Sequence, residues 1–188
     1  NEYGLTAVVL NWYPKETASP SKKESRGRLP LDAMRHRTLA EASDWATGSL
    51  DPSPFLPFVL VLKGDEGNPL ALRWDGTSLT QSSLTGRDQP IATSSFDSAR
   101  VESERKHLFR EMTGDSPRLD ELLAFHSHHD PDRPEIGPAM VRTVATTRSL
   151  IVARTSRTEV SLRHQIFDPD RNLFLEPIEV ALPRRLPS

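Results

Sequence analysis

Two apolar runs between Phe55 and Ser83, "FLPFVLVL" and "PLALRW", meet at a Gly/Asp/Asn-rich turn, and the second passes through Asp75-Gly76 into an alternating segment. Connections this short join only antiparallel neighbours, because a parallel crossover needs a dozen or more residues. An antiparallel meander is therefore expected in the middle of the chain. Beyond residue 148 three further runs, "SLIVART", "TEVSLRHQIF" and "LFLEPIEVAL", are separated by polar turns and read as a second succession of hairpins. Between these groups "SARVESERKHLFREMT", residues 98 to 113, places Val101, Leu108, Phe109 and Met112 on one helical face behind Asp97 or Ser98 as cap. Ser116 and Pro117 suit the start of another helix running to about His126.

The first half completes the pattern. Gly4 to Asn11 is nearly all apolar, with little alternation, as in a strand covered on both faces. A polar, Ser- and Pro-rich loop is expected from 14 to 28. Two short helices should follow: one holds Pro30, Leu31, Met34 and Arg35, and the other is capped by Thr38 and Glu41 and stopped by Gly48. "PIATSSF", 90 to 96, reads as a further strand, and 128 to 138 as a Pro- and Asp-rich loop. Strands grouped in runs with helices between them indicate an α+β fold with antiparallel sheets, and 188 residues suit one domain.

Composition narrows the function. Lys and Arg total 24 against 26 Asp and Glu, and 6% of residues are aromatic, so a nucleic-acid footprint is not expected. No window approaches the roughly 18 apolar residues of a membrane span. With no cysteine, disulfides, cysteine zinc sites and a cysteine nucleophile are absent from these residues.

Asn11 ends the first strand beside Trp12, Tyr13 and Pro14. A rigidly held amide N–H can stabilise negative charge developing on an oxygen; the simpler reading is an Asn that begins the next turn. "FHSHHDPDR" gathers His126, His128 and His129 with Asp130 and Asp132, which could ligate a transition metal or haem. The spacing fits no standard metal motif, and a solvated loop at a helix C-terminus accounts for it. Thr93-Ser94-Ser95 reads as helix capping. Arg100, Glu102, Glu104, Arg105 and Lys106 read as a solvated helix face with i,i+4 pairs.

"NEYGLTAVVLNWYP" resembles the strand of choloylglycine-hydrolase and penicillin-acylase relatives among the N-terminal-nucleophile hydrolases. It is still more similar to the NRDE family, which includes the transport and Golgi organization 2 proteins. Ser25-Arg26-Gly27 before "LPLDAM" resembles that family's Ser-Arg-Gly followed by a helix, and "ATSSFDSARVESERKHLF", "LLAFHSHH" and "MVRTVATTRSLIVARTSRTEV" are similar to the C-terminal half of bacterial members. The resemblance implies a four-layer αββα sandwich and, in hydrolytic relatives, catalysis by an N-terminal cysteine. Carried over, Asn11 is the oxyanion-hole candidate, Asn1 a pocket candidate, and Arg26, Trp12 and Tyr13 candidates for binding substrate. The family's Met-Cys start and Asn-Arg-Asp-Glu motif would lie upstream of residue 1. Since a carboxamide is no nucleophile, Asn1 cannot replace the cysteine. The expectation is a truncated, catalytically incompetent NRDE-like domain in the cytoplasm that binds a small molecule, with no certain cofactor and haem as the one the family admits. The alternative is an amidohydrolase of non-peptide C–N bonds with its cysteine upstream.

Overall fold

The computed structural model describes residues 1–14, 24–85, 90–95, 97–114, 116–143 and 145–185. In the first sheet, β1 (Thr6–Asn11), β2 (Phe58–Lys63), β3 (Leu70–Trp74) and β4 (Leu79–Ser83) lie in that order, every pair antiparallel. Cross-strand partners share a face, so the register sets Val9, Leu60 and Leu72 in one row and Asn11, Phe58 and Trp74 in the next. On this face pack α1 (Arg28–Ala33) and α2 (Leu39–Gly48), whose buried residues are small apart from Leu29: Ala33, Ala42 and Ala46. The missing side-chain bulk lets both helices sit close to the sheet. The opposite face carries Val59 and Ala71, packed with Leu10, Trp12, Val61, Leu84 and Ile91. A central strand covered on both sides is why β2 reads as an unbroken apolar run.

Local signals set the boundaries. The Thr38 hydroxyl accepts from the Glu41 amide at 3.1 Å and starts α2. At the β3–β4 turn, Gly76 has φ +103°, a conformation that a side chain resists. The Asp75 carboxylate there accepts from the Thr77 and Ser78 amides at 2.7 and 2.8 Å, and from both hydroxyls at 2.8 Å. These bonds, led by the one from Ser78, hold its pKa well below the usual carboxylate range. A carboxyl whose folded pKa is depressed stabilises the fold above its unfolded pKa and loses that contribution as pH falls through the folded value. Asp75→Ala is therefore expected to lower the melting temperature at pH 7, with the gap to wild type shrinking as pH drops below about 4. A gap that stays constant down to pH 3 would contradict the role given to the ionised carboxylate.

The second sheet is built on β6 (Glu159–Asp168), flanked on one side by β5 (Ser149–Thr155) and on the other by β7 (Leu173–Phe174) and β8 (Ile178–Pro183). Expected as one strand, "LFLEPIEVAL" divides before β8 at Pro177, which has no N–H for the ladder. Helices α3 (Ser98–Met112) and α4 (Leu119–Ser127) connect the halves and meet through Phe109 and Phe125, edge to face at 5.0 Å. Leu119 and Leu123 of α4 lie beside Val152 and Arg154, so α4 covers one face of this sheet.

The two sheets meet at one end. Arg184 pairs with Asp65 of the β2–β3 turn and donates to the Ser156 carbonyl at 2.7 Å, while the Arg185 amide donates to the Glu2 carbonyl at 2.7 Å. A Cβ on Gly4 would come within 3.0 to 3.1 Å of Asp65, Thr155 and Arg184, and φ there is +86°, so the junction requires glycine. Among the described residues, the buried clusters on the two faces of the first sheet include no residue of the second.

The α+β class, both antiparallel groups and the α2 and α3 segments agree with the sequence reading. Four expectations are corrected. β1, expected to be covered on both faces, is an edge strand of its sheet with Val8 50% exposed, because only β2 pairs with it among the described residues. Helix α1 ends at Ala33, before Met34 and Arg35, and turns Leu29 and Ala33 inward while Leu31 stays exposed. Residues 90–95 form no strand, because Ile91 satisfies its apolar surface against Val59 and Ala71 without a ladder partner. Helix α4 begins at Leu119 rather than at Pro117: the Glu121 carboxylate reaches back to the Arg118 amide at 2.8 Å and supplies the cap from inside the helix. Of the polar loop expected from 14 to 28, residues 15–23 lie outside the described residues, as does Phe96 of the expected 90–96 strand.

Candidate functional site

Trp12 follows β1, and its amide donates to the Pro57 carbonyl at 3.1 Å, which fixes the chain where it leaves the sheet. Its ring belongs to the cluster on the face opposite α1 and α2. There Trp12 lines a cavity of about 220 Å³ together with Val59 and Arg73 of the sheet, Ile91 and Thr93 of the irregular segment, and Glu102 and Lys106 of α3. Two cationic side chains from separate elements thus flank an apolar wall. Arg73 donates to Ser82 at 2.7 Å, and Glu102 accepts from Ser98 at 3.0 Å. Among the described residues, Lys106 has no carboxylate within ion-pairing distance.

The other sequence candidates stand elsewhere. Asn11 is exposed at the end of β1, in the row of Phe58 and Trp74 on the side covered by α1 and α2, and it lines neither the Trp12 cavity nor the one between α3 and the 128–137 loop. Asn1 is committed to backbone: its Nδ2 donates to the carbonyls of Met34 at 3.0 Å and His36 at 2.8 Å, and its Oδ1 accepts from the amides of Tyr3 and Leu5, both at 3.1 Å. Two donors and two lone pairs are all an amide has. Arg26 donates to the Pro57 carbonyl at 2.9 Å, tying the segment before α1 to the start of β2. Tyr13 is exposed, on the side of Arg142. Of these five, only Trp12 reaches a described cavity.

A second cavity, about 370 Å³, separates α3 from the 128–137 loop. Arg105 closes its floor, donating through Nε to the Ile136 carbonyl at 2.8 Å and through Nη2 to that of Gly137 at 2.9 Å. Burial and then the neighbouring charge of Arg142 lower its pKa to about 10. This corrects the reading of Arg105 as part of a solvated face: Arg100 and Glu104 do pair on the surface at 3.0 Å, but Arg105 turns inward. The acidic residues of this cavity are largely spoken for. Arg133 pairs with Glu104 and with Asp130, and His107 lies 3.3 Å from Glu111.

The three histidines do not converge. His128 lines the larger cavity, the Nδ1 of His129 is 3.1 Å from the Ala139 carbonyl, and His126 stands edge-on to Phe125 at 5.1 Å. Among the described residues no group of three or more His, Cys, Asp or Glu is placed to hold a metal ion. Nor does the space around His128 suit haem. Glu104, Arg105, Glu111, Asp130 and Arg133 line it, where a porphyrin needs an apolar slot.

Comparison with known protein families, curated proteins and solved structures finds no match. No helix among the described residues is long and apolar enough to cross a membrane. The site rests on its own geometry, and sequence reading missed most of it. Arg73, Glu102 and Lys106 carry no motif, and only the folding of α3 over the first sheet brings them to Trp12. The one available signal was Trp12 itself, an aromatic at a strand end.

Proposed function

We propose that this chain is an NRDE-like binding scaffold that holds a small anionic molecule with an apolar body in the Trp12 cavity. The observation that carries the reading is that Arg73 of β3 and Lys106 of α3 line one cavity with Trp12, Val59 and Ile91, two cations against the single carboxylate of Glu102. Cationic groups held apart on rigid elements recognise a carboxylate or similar head, and the apolar wall takes the remainder. A carrier or trafficking role follows from the family resemblance. Of the four-layer αββα sandwich that the resemblance implies, the described residues support the outer layers, α1 and α2 against the first sheet and α4 against the second, while α3 lies over the other face of the first sheet and the other face of the second is open.

The amidohydrolase alternative draws no support from Asn11, whose side chain is exposed away from this cavity.

Benzoate and its neutral analogue benzamide test the proposal by isothermal titration calorimetry. Benzoate is expected to bind and benzamide to bind at least about tenfold more weakly, the equivalent of one charge-assisted contact. Lys106→Glu should abolish the preference and Trp12→Ala should weaken both. Equal affinity for the two probes, or wild-type affinity in Lys106→Glu, would rule the site out.

A further inference from the structure

The face of the second sheet away from α4 is open. Cross-strand register places Ile151, His164 and Ile178 in one row, Ala153, Leu162 and Val180 in the next, and Thr155, Val160 and Leu182 in a third, with Ile166 opposite Ser149 beyond them. Six of these side chains are large, aliphatic and exposed: Ile151 58%, Leu162 46%, Ile166 48%, Ile178 64%, Val180 55% and Leu182 54%. On the paired positions of β5, β6 and β8 this face holds no Lys, Arg or Glu; its one carboxylate is Asp168 at the far end of β6, 3.7 Å from Arg171, and His164 is its other titratable side chain. Scattered surface aliphatics need no explanation, but a contiguous patch across three adjacent strands does.

We infer that this face is a homodimer interface, in which the second sheet of one protomer stacks on the same sheet of its partner. The inference rests on the open face alone and is independent of the ligand reading. Three features select a second copy as occupant. The six aliphatic side chains expose on the order of 600 Å², the upper end for a monomer's largest patch, and the smaller residues between them bring the face towards the roughly 800 Å² per partner of a standard interface. A face whose one carboxylate, Asp168, stands at its far end beside Arg171 meets its own copy around Leu162 without burying a pair of like charges, which would cost affinity if a Lys or Glu stood among the central rows. Finally, Leu162 lies on the central strand near the middle of the patch. A two-fold axis beside it pairs every row with a row of the partner, a self-complementary contact that closes at two copies. The sheets would lie about 10 Å apart, interdigitating as in a sandwich. Helix α4 of each protomer would form the outer layer, giving helix, sheet, sheet, helix across the pair.

Light scattering coupled to size exclusion, at protein concentrations from about 5 to 200 μM, reads the mass. The expected result is twice the 21.1 kDa of one chain. Leu162→Glu and Ile178→Lys each place an unpaired charge in the interface and are expected to weaken association on the order of 100-fold or more. Both should shift the mass to 21.1 kDa, with far-ultraviolet circular dichroism unchanged. Ile178 lies on an edge strand and is the most exposed of the six, so its variant decides the matter if Leu162→Glu fails to fold. A wild-type monomer throughout the range, open-ended aggregates, or a dimer mass retained in the folded Ile178→Lys variant would overturn the inference.

Discussion

Phe58→Ala is expected to remove roughly 3–5 kcal/mol of stability, as complete truncation of a buried aromatic does. Phe58 is wholly buried at the start of β2, between Asn11 of β1 and Trp74 of β3 in the register, and Phe55 meets its ring edge to face at 6.1 Å. The surroundings cannot close over the void easily. Phe58 is flanked by paired strands on both sides, and the Trp74 indole is pinned by its bond to the Phe55 carbonyl at 3.1 Å. Because domains are stable by only about 5–15 kcal/mol, this one change should bring the protein near its threshold. Denaturant unfolding followed by circular dichroism reads the effect as a large drop in midpoint. Leu31→Ala, on a residue 70% exposed in α1, should change stability by no more than about 0.5 kcal/mol. Similar losses in the two variants would mean that the core is not centred on β2.

Asn1→Ala should have the next largest effect, about 2–3 kcal/mol, although Asn1 is only partly buried. Its side chain satisfies two carbonyls after α1 and two amides leading into β1, so four backbone groups lose their partners together. Each such bond contributes about 0.5–1.5 kcal/mol net, and water can replace some of them at a half-exposed site. Asn1→Asp separates this account from a mere loss of contact. It keeps the oxygen that accepts from Tyr3 and Leu5 but turns a carboxylate oxygen towards the carbonyls of Met34 and His36. The aspartate variant is therefore expected to be no more stable than the alanine variant. Recovery of wild-type stability in Asn1→Asp would show that the bonds to Met34 and His36 contribute nothing.

What the sequence disclosed was local. The β2–β4 meander was legible because its turns are short and its apolar runs uninterrupted, and α2 because Thr38 and Glu41 are three residues apart. The missed features depend on groups distant in the chain. Asn1 looked like a pocket residue, yet its carbonyl partners come 33 and 35 residues later. Arg105 looked solvated on its own helix, and the carbonyls that accept from it lie 31 and 32 residues on. Periodicity cannot register either arrangement. The apolar alternation of β5, β6 and β8 was visible as strands, but which face a helix would cover, and that the other would stay open, depended on where α4 settled.

All three tryptophans lie in the first half of the chain, Trp12 in the cluster on one face of the first sheet and Trp45 and Trp74 in the cluster on the other. Intrinsic fluorescence consequently reports on one half of the molecule and is blind to the other. If the sheets, joined at the Arg184–Asp65 corner, come apart before either melts, the emission signal and the amide signal will not coincide during unfolding. Agreement between those two probes would show that the corner binds both halves into one cooperative unit.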